Sequence, residues 1–140
     1  MTLFNQERHR LTLPTLKNLF INILGIIKEC HSRNIIHRDI KPHNIIVSPY
    51  DLQPKLIDFG LALVTNKQIE SHNYYKCGTM GYTAPEVLLT DSVFYKSYGS
   101  KCDIFSFGVI AHLLLMGFNP LAGKTEDQII KSIHIELKEN

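Results

Sequence analysis

The chain has 140 residues, which is enough for one hydrophobic core and one domain. Its 15 basic residues nearly balance its 13 acidic residues, and its 44% hydrophobic content is typical of a soluble globular protein, so neither a nucleic-acid partner nor a membrane partner is expected. The three cysteines form no closely spaced pair, which favours reduced thiols in a cytoplasmic protein over a zinc site or a disulfide framework.

A long amphipathic helix is the first predicted element. From Pro14 to Cys30, apolar residues recur at steps of three and four positions, and proline suits the first turn of a helix. We expect Asn34 to end this helix. Two short apolar runs follow, at residues 45–47 and 55–57, on either side of a segment that contains proline and aspartate. Their length and β-branched character predict a β-hairpin.

The second half of the chain contains a long segment without periodicity and two further predicted helices. Residues 61–83 show neither a helical nor a strand pattern, and loops of this length in compact domains are usually functional. The apolar residues 101–116 predict a buried helix that ends at Gly117, and residues 126–138 predict a final amphipathic helix. The fold is therefore expected to be mainly α-helical with one short β-hairpin.

Four short motifs follow one another along the chain. They are His-Arg-Asp-Ile-Lys-Pro-His-Asn at residues 37–44, Asp-Phe-Gly at 58–60, Cys-Gly-Thr at 77–79 and Ala-Pro-Glu at 84–86. Their order, with a hairpin between the first two and a loop before the last two, resembles the eukaryotic protein kinases of the serine/threonine type. The resemblance starts at about residue 14 and implies that residues 1–140 are a partial kinase domain, a C-terminal lobe without its N-terminal lobe.

The resemblance assigns the chemistry of phosphoryl transfer to a few residues. Asp39 matches the catalytic-loop base that orients the acceptor hydroxyl, and Lys41 matches the lysine that contacts the transferring γ-phosphate. Thr79 matches the threonine whose hydroxyl reaches both of these side chains. The implied reaction transfers the γ-phosphate of ATP to serine and threonine hydroxyls of a protein substrate.

The same resemblance implies ATP and Mg²⁺ as cofactors. Asn44 and Asp58 match the two magnesium ligands of the family, and amide and carboxylate oxygens suit this cation. The predicted hairpin brings these two residues together, because they stand at its two ends. Ile46 matches a residue that lies under the adenine ring. Lys41, Asn44, Ile46 and Asp58 are therefore the expected ATP-binding residues.

Several other polar residues are expected to support the site. By resemblance, His37 packs in the core beneath Phe59 and transfers no proton, while Asp103 accepts hydrogen bonds from the catalytic-loop backbone. His31 and His112 lie in helical segments, and we expect them to be surface residues or core residues with a hydrogen-bond partner.

Two interpretations of Arg38 remain open. An arginine at this position commonly binds a phosphorylated residue of the activation segment, but it can instead form a fixed ion pair with a carboxylate. The position that matches the primary activating phosphosite is occupied by Tyr75. Ser71, Thr65 or Tyr74 can substitute for it, or the segment can remain unphosphorylated.

The sequence also departs from the kinase pattern. It contains no glycine-rich loop and no strand lysine before Asp39, so we expect the chain alone to have little kinase activity. Glu86 lacks its usual arginine partner and is expected to be exposed or paired in another way. His43 and Leu113 stand where acidic residues select arginine-containing substrates, so no such selection is expected. A small-molecule kinase, a non-catalytic binding module and a fragment without independent function remain alternatives.

Overall fold

The structure, a computed structural model, describes residues 12–65, 75–90 and 97–136. Four α-helices, four short β-strands and one turn of 3₁₀ helix occur in these ranges. Their order is α1 (Leu13–Ser32), β1 (Ile35–Ile36), the 3₁₀ turn (Pro42–Asn44), β2 (Ile45–Val47), β3 (Pro54–Leu56), β4 (Leu63–Val64), α2 (Pro85–Leu88), α3 (Lys101–Met116) and α4 (Glu126–Glu136).

Helix α1 begins one residue before the predicted start. Thr12 Oγ1 accepts a hydrogen bond from Thr15 N at 3.4 Å, and Pro14 lies in the first turn, where its missing N–H costs no helical hydrogen bond. Asn34 has a left-handed φ of 60° and turns the chain away from the helix, as predicted. The predicted apolar stripe faces the core, with its buried residues at Leu16, Leu19, Ile23 and Ile27.

Strands β2 and β3 form the predicted hairpin. They pair in antiparallel fashion, with Ile45 opposite Leu56 and Val47 opposite Pro54. The second strand therefore covers residues 54–56 rather than 55–57. A difference of one residue at a strand end is small, because the ends of an element make few of its hydrogen bonds. The prediction of a hairpin at this place is confirmed.

A second two-stranded sheet was not predicted. Strand β1 pairs with β4 in antiparallel fashion, with Ile35 opposite Val64 and Ile36 opposite Leu63. The prediction that residues 61–83 lack regular structure is therefore wrong for β4. A strand of two residues is too short to produce the alternating pattern by which strands are recognised in a sequence.

Helix α3 has the predicted bounds. It ends where Gly117, with a φ of 91°, donates from its backbone N–H to Leu113 O at 3.0 Å. The prediction that α3 is buried holds for one face only, because Ile104, Leu115 and Met116 are each at least 45% exposed. Helix α4 begins at the predicted residue, and the last two residues predicted for it lie outside the described residues. The one-turn helix α2 was not predicted.

One core cluster lies directly beneath residues 37–44, the motif that matches the catalytic loop of the kinases and is called the catalytic loop below. Ile40, which stands between Asp39 and Lys41, is fully buried and packs with residues from α1, β2, β3 and α3. Burying a side chain of this size stabilises the fold by about 1.5–3 kcal/mol. The members of the cluster are Leu19, Ile23, Ile27, Ile40, Ile45, Leu56 and Ile110. The described fold is therefore mainly α-helical with two small sheets rather than one hairpin.

Candidate active site

A buried carboxylate from α3 holds the backbone of the catalytic loop. Asp103 is 1% exposed, and its two oxygens accept hydrogen bonds from His37 N and Arg38 N, both at 2.9 Å. These bonds stabilise a left-handed backbone at Arg38, where φ is 67°, a conformation that costs energy for a residue other than glycine. The role predicted for Asp103 is confirmed.

Asp103 has a third partner that the sequence did not reveal. His31 Nε2 lies 2.8 Å from Asp103 Oδ2, and the His31 side chain is 19% exposed. His31 is thus a histidine with a hydrogen-bond partner, as expected, but the identity of that partner was not predicted. The sequence gives only a weak signal for this contact, because a histidine in the last turn of a helix has many possible partners.

His37 is a core residue. It is fully buried, its ring meets the ring of Phe59 edge-on with 4.8 Å between the centroids, and its Nε2 lies 3.1 Å from Ile57 O. The expected packing beneath Phe59 is confirmed. His112 likewise has a partner, because its Nδ1 lies 3.1 Å from Phe118 O.

Three polar side chains converge on the carboxylate of Asp39. Thr79 Oγ1 donates to Asp39 Oδ1 at 2.6 Å, while Lys41 Nζ lies 2.8 Å and Asn44 Nδ2 lies 3.1 Å from Asp39 Oδ2. Lys41 Nζ also donates to Thr79 Oγ1 at 2.8 Å. Asp39 is 8% exposed, so these contacts compensate a largely desolvated charge. The structure therefore brings together all four residues predicted to be catalytic.

A backbone hydrogen bond brings the chain positions of the two predicted magnesium ligands, Asn44 and Asp58, close together. Ile57 N donates to Asn44 O at 2.9 Å, and Asp58 is the next residue along the chain. Asp58 is exposed, has a left-handed φ of 61°, and accepts from Gly60 N at 3.2 Å with Oδ1. Among the described contacts, none joins the Asp58 carboxylate to Asp39, Lys41, Asn44 or Thr79.

The donor atoms at this position suit magnesium. Asn44 Nδ2 donates to Asp39 O and Asp39 Oδ2, so the amide oxygen of Asn44 remains available as a ligand, and Asp58 Oδ2 accepts no hydrogen bond from a described residue. Within the described residues, no three His, Cys, Asp or Glu side chains form a metal-binding group. A magnesium ion held by Asn44 and Asp58 therefore has to complete its oxygen shell with phosphate and water, which is its usual mode of binding.

Ile46, the predicted adenine contact, lies on the face of β2 away from the core. Its neighbour Ile45 is 2% exposed and belongs to the core cluster, whereas Ile46 is half-buried. Successive side chains of a strand point to opposite faces. The position of Ile46 is thus compatible with a contact to a ligand above the hairpin.

The stretch that matches the activation segment of the kinases lies between the Asp-Phe-Gly and Ala-Pro-Glu motifs, and it approaches the catalytic loop very closely at Gly78. Its φ is 104°, and a Cβ at this position would lie 2.9 Å from Arg38 O and 2.9 Å from Thr83 Oγ1. Only glycine fits such an approach without displacing its neighbours. Further along the segment, the backbone carbonyl of Tyr82 accepts a hydrogen bond from Ser106 Oγ of α3 at 2.7 Å. This bond attaches the segment to α3. These contacts place Thr79 within reach of Asp39.

Arg38 is surrounded by neutral groups. Its Nε donates to Leu61 O at 2.6 Å, Nη1 donates to Tyr98 OH at 2.9 Å, and Nη2 donates to Tyr75 OH at 3.2 Å. No carboxylate of the described residues pairs with it, so the alternative of a fixed ion pair finds no support in this part of the chain. The role of Tyr98 was missed, because it lies in an irregular segment without a recognisable pattern.

Further predictions concerned Glu86, the alternative phosphosites and the two positions linked to substrate selection. Glu86 is half-buried rather than fully exposed, and no residue of the described part of the chain forms an ion pair with it. Thr65 donates from its hydroxyl to Asn34 O at 3.2 Å, whereas Ser71 and Tyr74 lie outside the described residues. His43 is exposed and Leu113 is half-buried, which leaves the expected lack of arginine selection a prediction.

Known proteins similar to this chain are protein kinases. The family model of the protein kinase domain matches residues 1–139. Calcium-dependent protein kinase 5 of Plasmodium berghei (strain Anka) is 43% identical over 114 residues, which are 79% of this chain and 19% of that protein. Serine/threonine-protein kinase DCLK1 of Rattus norvegicus is 42% identical over 115 residues, which are 79% of this chain and 24% of that protein. The chain thus spans less than a third of the length of these curated relatives.

A solved structure of a kinase complex has a similar fold. The crystal structure of the yeast RNA Pol II CTD kinase CTDK-1 complex contains a chain that matches with a TM-score of 0.74 and 28% sequence identity, over 89% of this chain and 38% of that chain. Within the described residues, no helix is both long and apolar enough to cross a membrane. Because the family model covers nearly the whole chain and the site motifs occur in the family's order, the chain belongs to the eukaryotic serine/threonine protein kinase family.

Proposed function

We propose that this chain carries the phosphoryl-transfer site of a protein serine/threonine kinase, and that its 140 residues are part of one kinase domain. The proposed reaction moves the γ-phosphate of ATP to a serine or threonine hydroxyl of a protein substrate. The observation that carries the proposal is the convergence of Lys41 Nζ, Asn44 Nδ2 and Thr79 Oγ1 on Asp39, at 2.6–3.1 Å.

The hydrogen bonds of Asp39 support its role as the base. A carboxylate has about four lone-pair positions, and three of those of Asp39 accept from Thr79, Lys41 and Asn44. The remaining position can accept a hydrogen bond from the acceptor hydroxyl, which orients the nucleophile and receives its proton. Phosphoryl transfer depends mainly on positioning and charge stabilisation, and this arrangement provides both.

Lys41 and Thr79 support the charge and geometry of transfer. The ammonium group of Lys41 bonds to both Asp39 and Thr79, so it is held beside the base, and its positive charge would stabilise the negative charge of the transferred phosphate. Thr79 belongs to the activation segment, and its hydroxyl joins that segment to the catalytic loop. The activation segment therefore contributes one of the three contacts that position the base.

Asn44 and Asp58 are proposed to hold the magnesium ion, with Ile46 against the adenine of ATP. When bound, magnesium neutralises the charge of the phosphates. Asn44 contributes in a second way, because its amide nitrogen fixes the carboxylate of Asp39 while its amide oxygen is available to the metal.

A single-turnover assay with two matched variants tests the proposal. The purified chain in excess is incubated with radiolabelled Mg²⁺-ATP and a peptide mixture containing serine and threonine. We expect transfer far slower than the roughly 1–100 s⁻¹ of typical kinases. Asp39→Asn should lower this rate by about 100-fold or more, the usual contribution of a general base. Asp51→Asn, on the exposed hairpin turn, should leave it unchanged.

The outcomes separate the site from the expected activity level. Equal rates for the Asp39→Asn variant and the unsubstituted chain contradict the proposed site. A rate near that of a typical kinase, abolished by Asp39→Asn, supports the site and contradicts only the expectation that the chain alone is nearly inactive.

A further inference from the structure

The guanidinium of Arg38 is buried without a negative partner among the described residues. Arg38 is 7% exposed, and its partners are one backbone carbonyl and two phenol hydroxyls. A buried cation is normally compensated by a carboxylate or a phosphate, because desolvation of the charge costs several kcal/mol. Here the hydrogen bonds and an aromatic ring provide the compensation.

Tyr75 contacts Arg38 in two ways. Its hydroxyl accepts from Arg38 Nη2 at 3.2 Å, and its ring centroid lies 4.8 Å from Arg38 Cζ, within the range of a cation–π interaction. Tyr75 is 48% exposed, so the contact lies at the edge of the protein rather than in its core. Tyr75 also occupies the position where the kinase pattern predicts a phosphorylated residue.

Tyr98 connects the same arginine to the backbone of the activation segment. Its buried hydroxyl accepts from Arg38 Nη1 at 2.9 Å, donates to Tyr75 O at 3.1 Å, and lies 3.5 Å from Cys77 Sγ. One side chain thus joins the catalytic loop, through Arg38, to two residues that precede Gly78 in the segment.

We propose that Tyr75 and Tyr98 bind Arg38 in place of a phosphorylated residue, so that the activation segment stays attached to the catalytic loop without phosphorylation. We name the three residues the tyrosine clamp. They are positioning residues for Thr79 and Asp39, since the segment they attach carries Thr79 to the base. The tyrosine clamp rests on the proposed kinase site, but its test measures attachment of the activation segment and requires no catalysis.

Hydrogen exchange on the unphosphorylated chain tests the tyrosine clamp. The chain is treated with phosphatase, its mass is verified, and the exchange of the amides at residues 77–83 is measured by mass spectrometry. We expect these amides to be protected in the unphosphorylated chain. Tyr98→Phe and Tyr75→Ala should each accelerate their exchange by about tenfold or more, because each removes a hydrogen bond to a charged group. Tyr50→Phe, at a side chain that is 97% exposed, is the matched control and should change nothing.

Two internal comparisons separate the tyrosine clamp from a general loss of stability. The amides of α1 report on the core and should exchange at the same rate in all variants. In an Arg38→Met background, Tyr75→Phe should have no further effect, because the hydroxyl then has no guanidinium to contact.

Three results would overturn the proposal. The first is rapid exchange of residues 77–83 in the unphosphorylated chain. The second is normal protection in both Tyr98→Phe and Tyr75→Ala. The third is an equal effect of Tyr75→Phe with and without Arg38. None of these results bears on the phosphoryl-transfer proposal, which the Asp39→Asn assay tests separately.

Discussion

At the scale of single residues, Asp103 connects the stability of the fold to the geometry of the catalytic loop. Its carboxylate is almost fully buried in the first turn of α3, where the helix dipole favours a negative charge. It accepts from the backbone of His37 and Arg38 and bonds to His31, so a single side chain satisfies three donors. Without it, two buried amides lose their acceptor.

We expect Asp103→Ala to lower the free energy of unfolding by about 3 kcal/mol or more, since each buried amide without an acceptor costs about 1–3 kcal/mol. Urea denaturation measures the change. The matched control is Asp127→Ala, at an exposed aspartate in the first turn of α4, which should cost less than about 1 kcal/mol. Similar losses from the two substitutions would show that the hydrogen bonds of Asp103 contribute little.

The residues of the candidate site were predictable from the sequence to different degrees. Asp39, Lys41, Asn44 and Thr79 lie in contiguous motifs, and the structure brings their side chains together as the kinase pattern implies. The environment of Arg38 was predictable only in part. The kinase pattern placed Tyr75 at the position whose phosphorylated residue this arginine commonly binds, whereas Leu61 and Tyr98 come from distant segments with no common pattern.

At the scale of elements, the contact between the catalytic loop and the activation segment depends on glycine. The backbone of Gly78 passes so close to Arg38 O that any side chain would collide with it, and its φ of 104° is unfavourable for other residues. The next residue, Thr79, reaches Asp39 from this position.

Replacing Gly78 by alanine should destabilise the chain, while the same change in a helix should stabilise it. Gly78→Ala combines backbone strain with a steric collision, and we expect a loss of about 2 kcal/mol or more in the free energy of unfolding. Gly25→Ala, in α1 with nothing within 4 Å of the new Cβ, should gain about 0.5–1 kcal/mol. Chemical denaturation of the two variants provides the comparison, and a Gly78→Ala variant as stable as Gly25→Ala would contradict the close approach.

The length of an element decided whether it could be predicted. Helices α1 and α3 are long enough to show their periodicity or their apolar content, and their ends carry proline and glycine signals. The hairpin has a recognisable turn between two apolar runs. Strand β4 and helix α2 have only two and four residues, and their existence depends on pairing and packing with distant parts of the chain.

At the scale of the whole molecule, the buried thiol of Cys102 links stability to alkaline pH. Burial, and then the charge of Asp103, raises the pKa of Cys102 well above the ordinary thiol value, and Cys102 is 3% exposed. Above the ordinary thiol pKa the unfolded chain loses this proton, while the folded chain keeps it. The titration of Cys102 therefore leaves the free energy of unfolding unchanged below about pH 8 and lowers it as the pH rises further.

We expect the free energy of unfolding to fall above about pH 9 with a contribution from Cys102 of up to about 1.4 kcal/mol per pH unit. Urea denaturation between about pH 7 and pH 10 measures the slope, taking about 8.5 as the ordinary thiol value. The variant Cys102→Ala should show a shallower decline. An identical slope in the variant would exclude Cys102 as its source.

We propose that Asp39, Lys41, Asn44 and Thr79 face a bound nucleotide whose metal is held by Asn44 and Asp58. Paramagnetic Mn²⁺ in place of Mg²⁺ reports the position of the metal in an NMR spectrum, even when ATP binds weakly. With Mn²⁺ and ATP together, we predict selective broadening of the Asn44 side-chain amide and of the backbone amides at residues 58–60, and loss of this broadening in Asp58→Asn. Broadening centred elsewhere, or unchanged in that variant, would contradict the account.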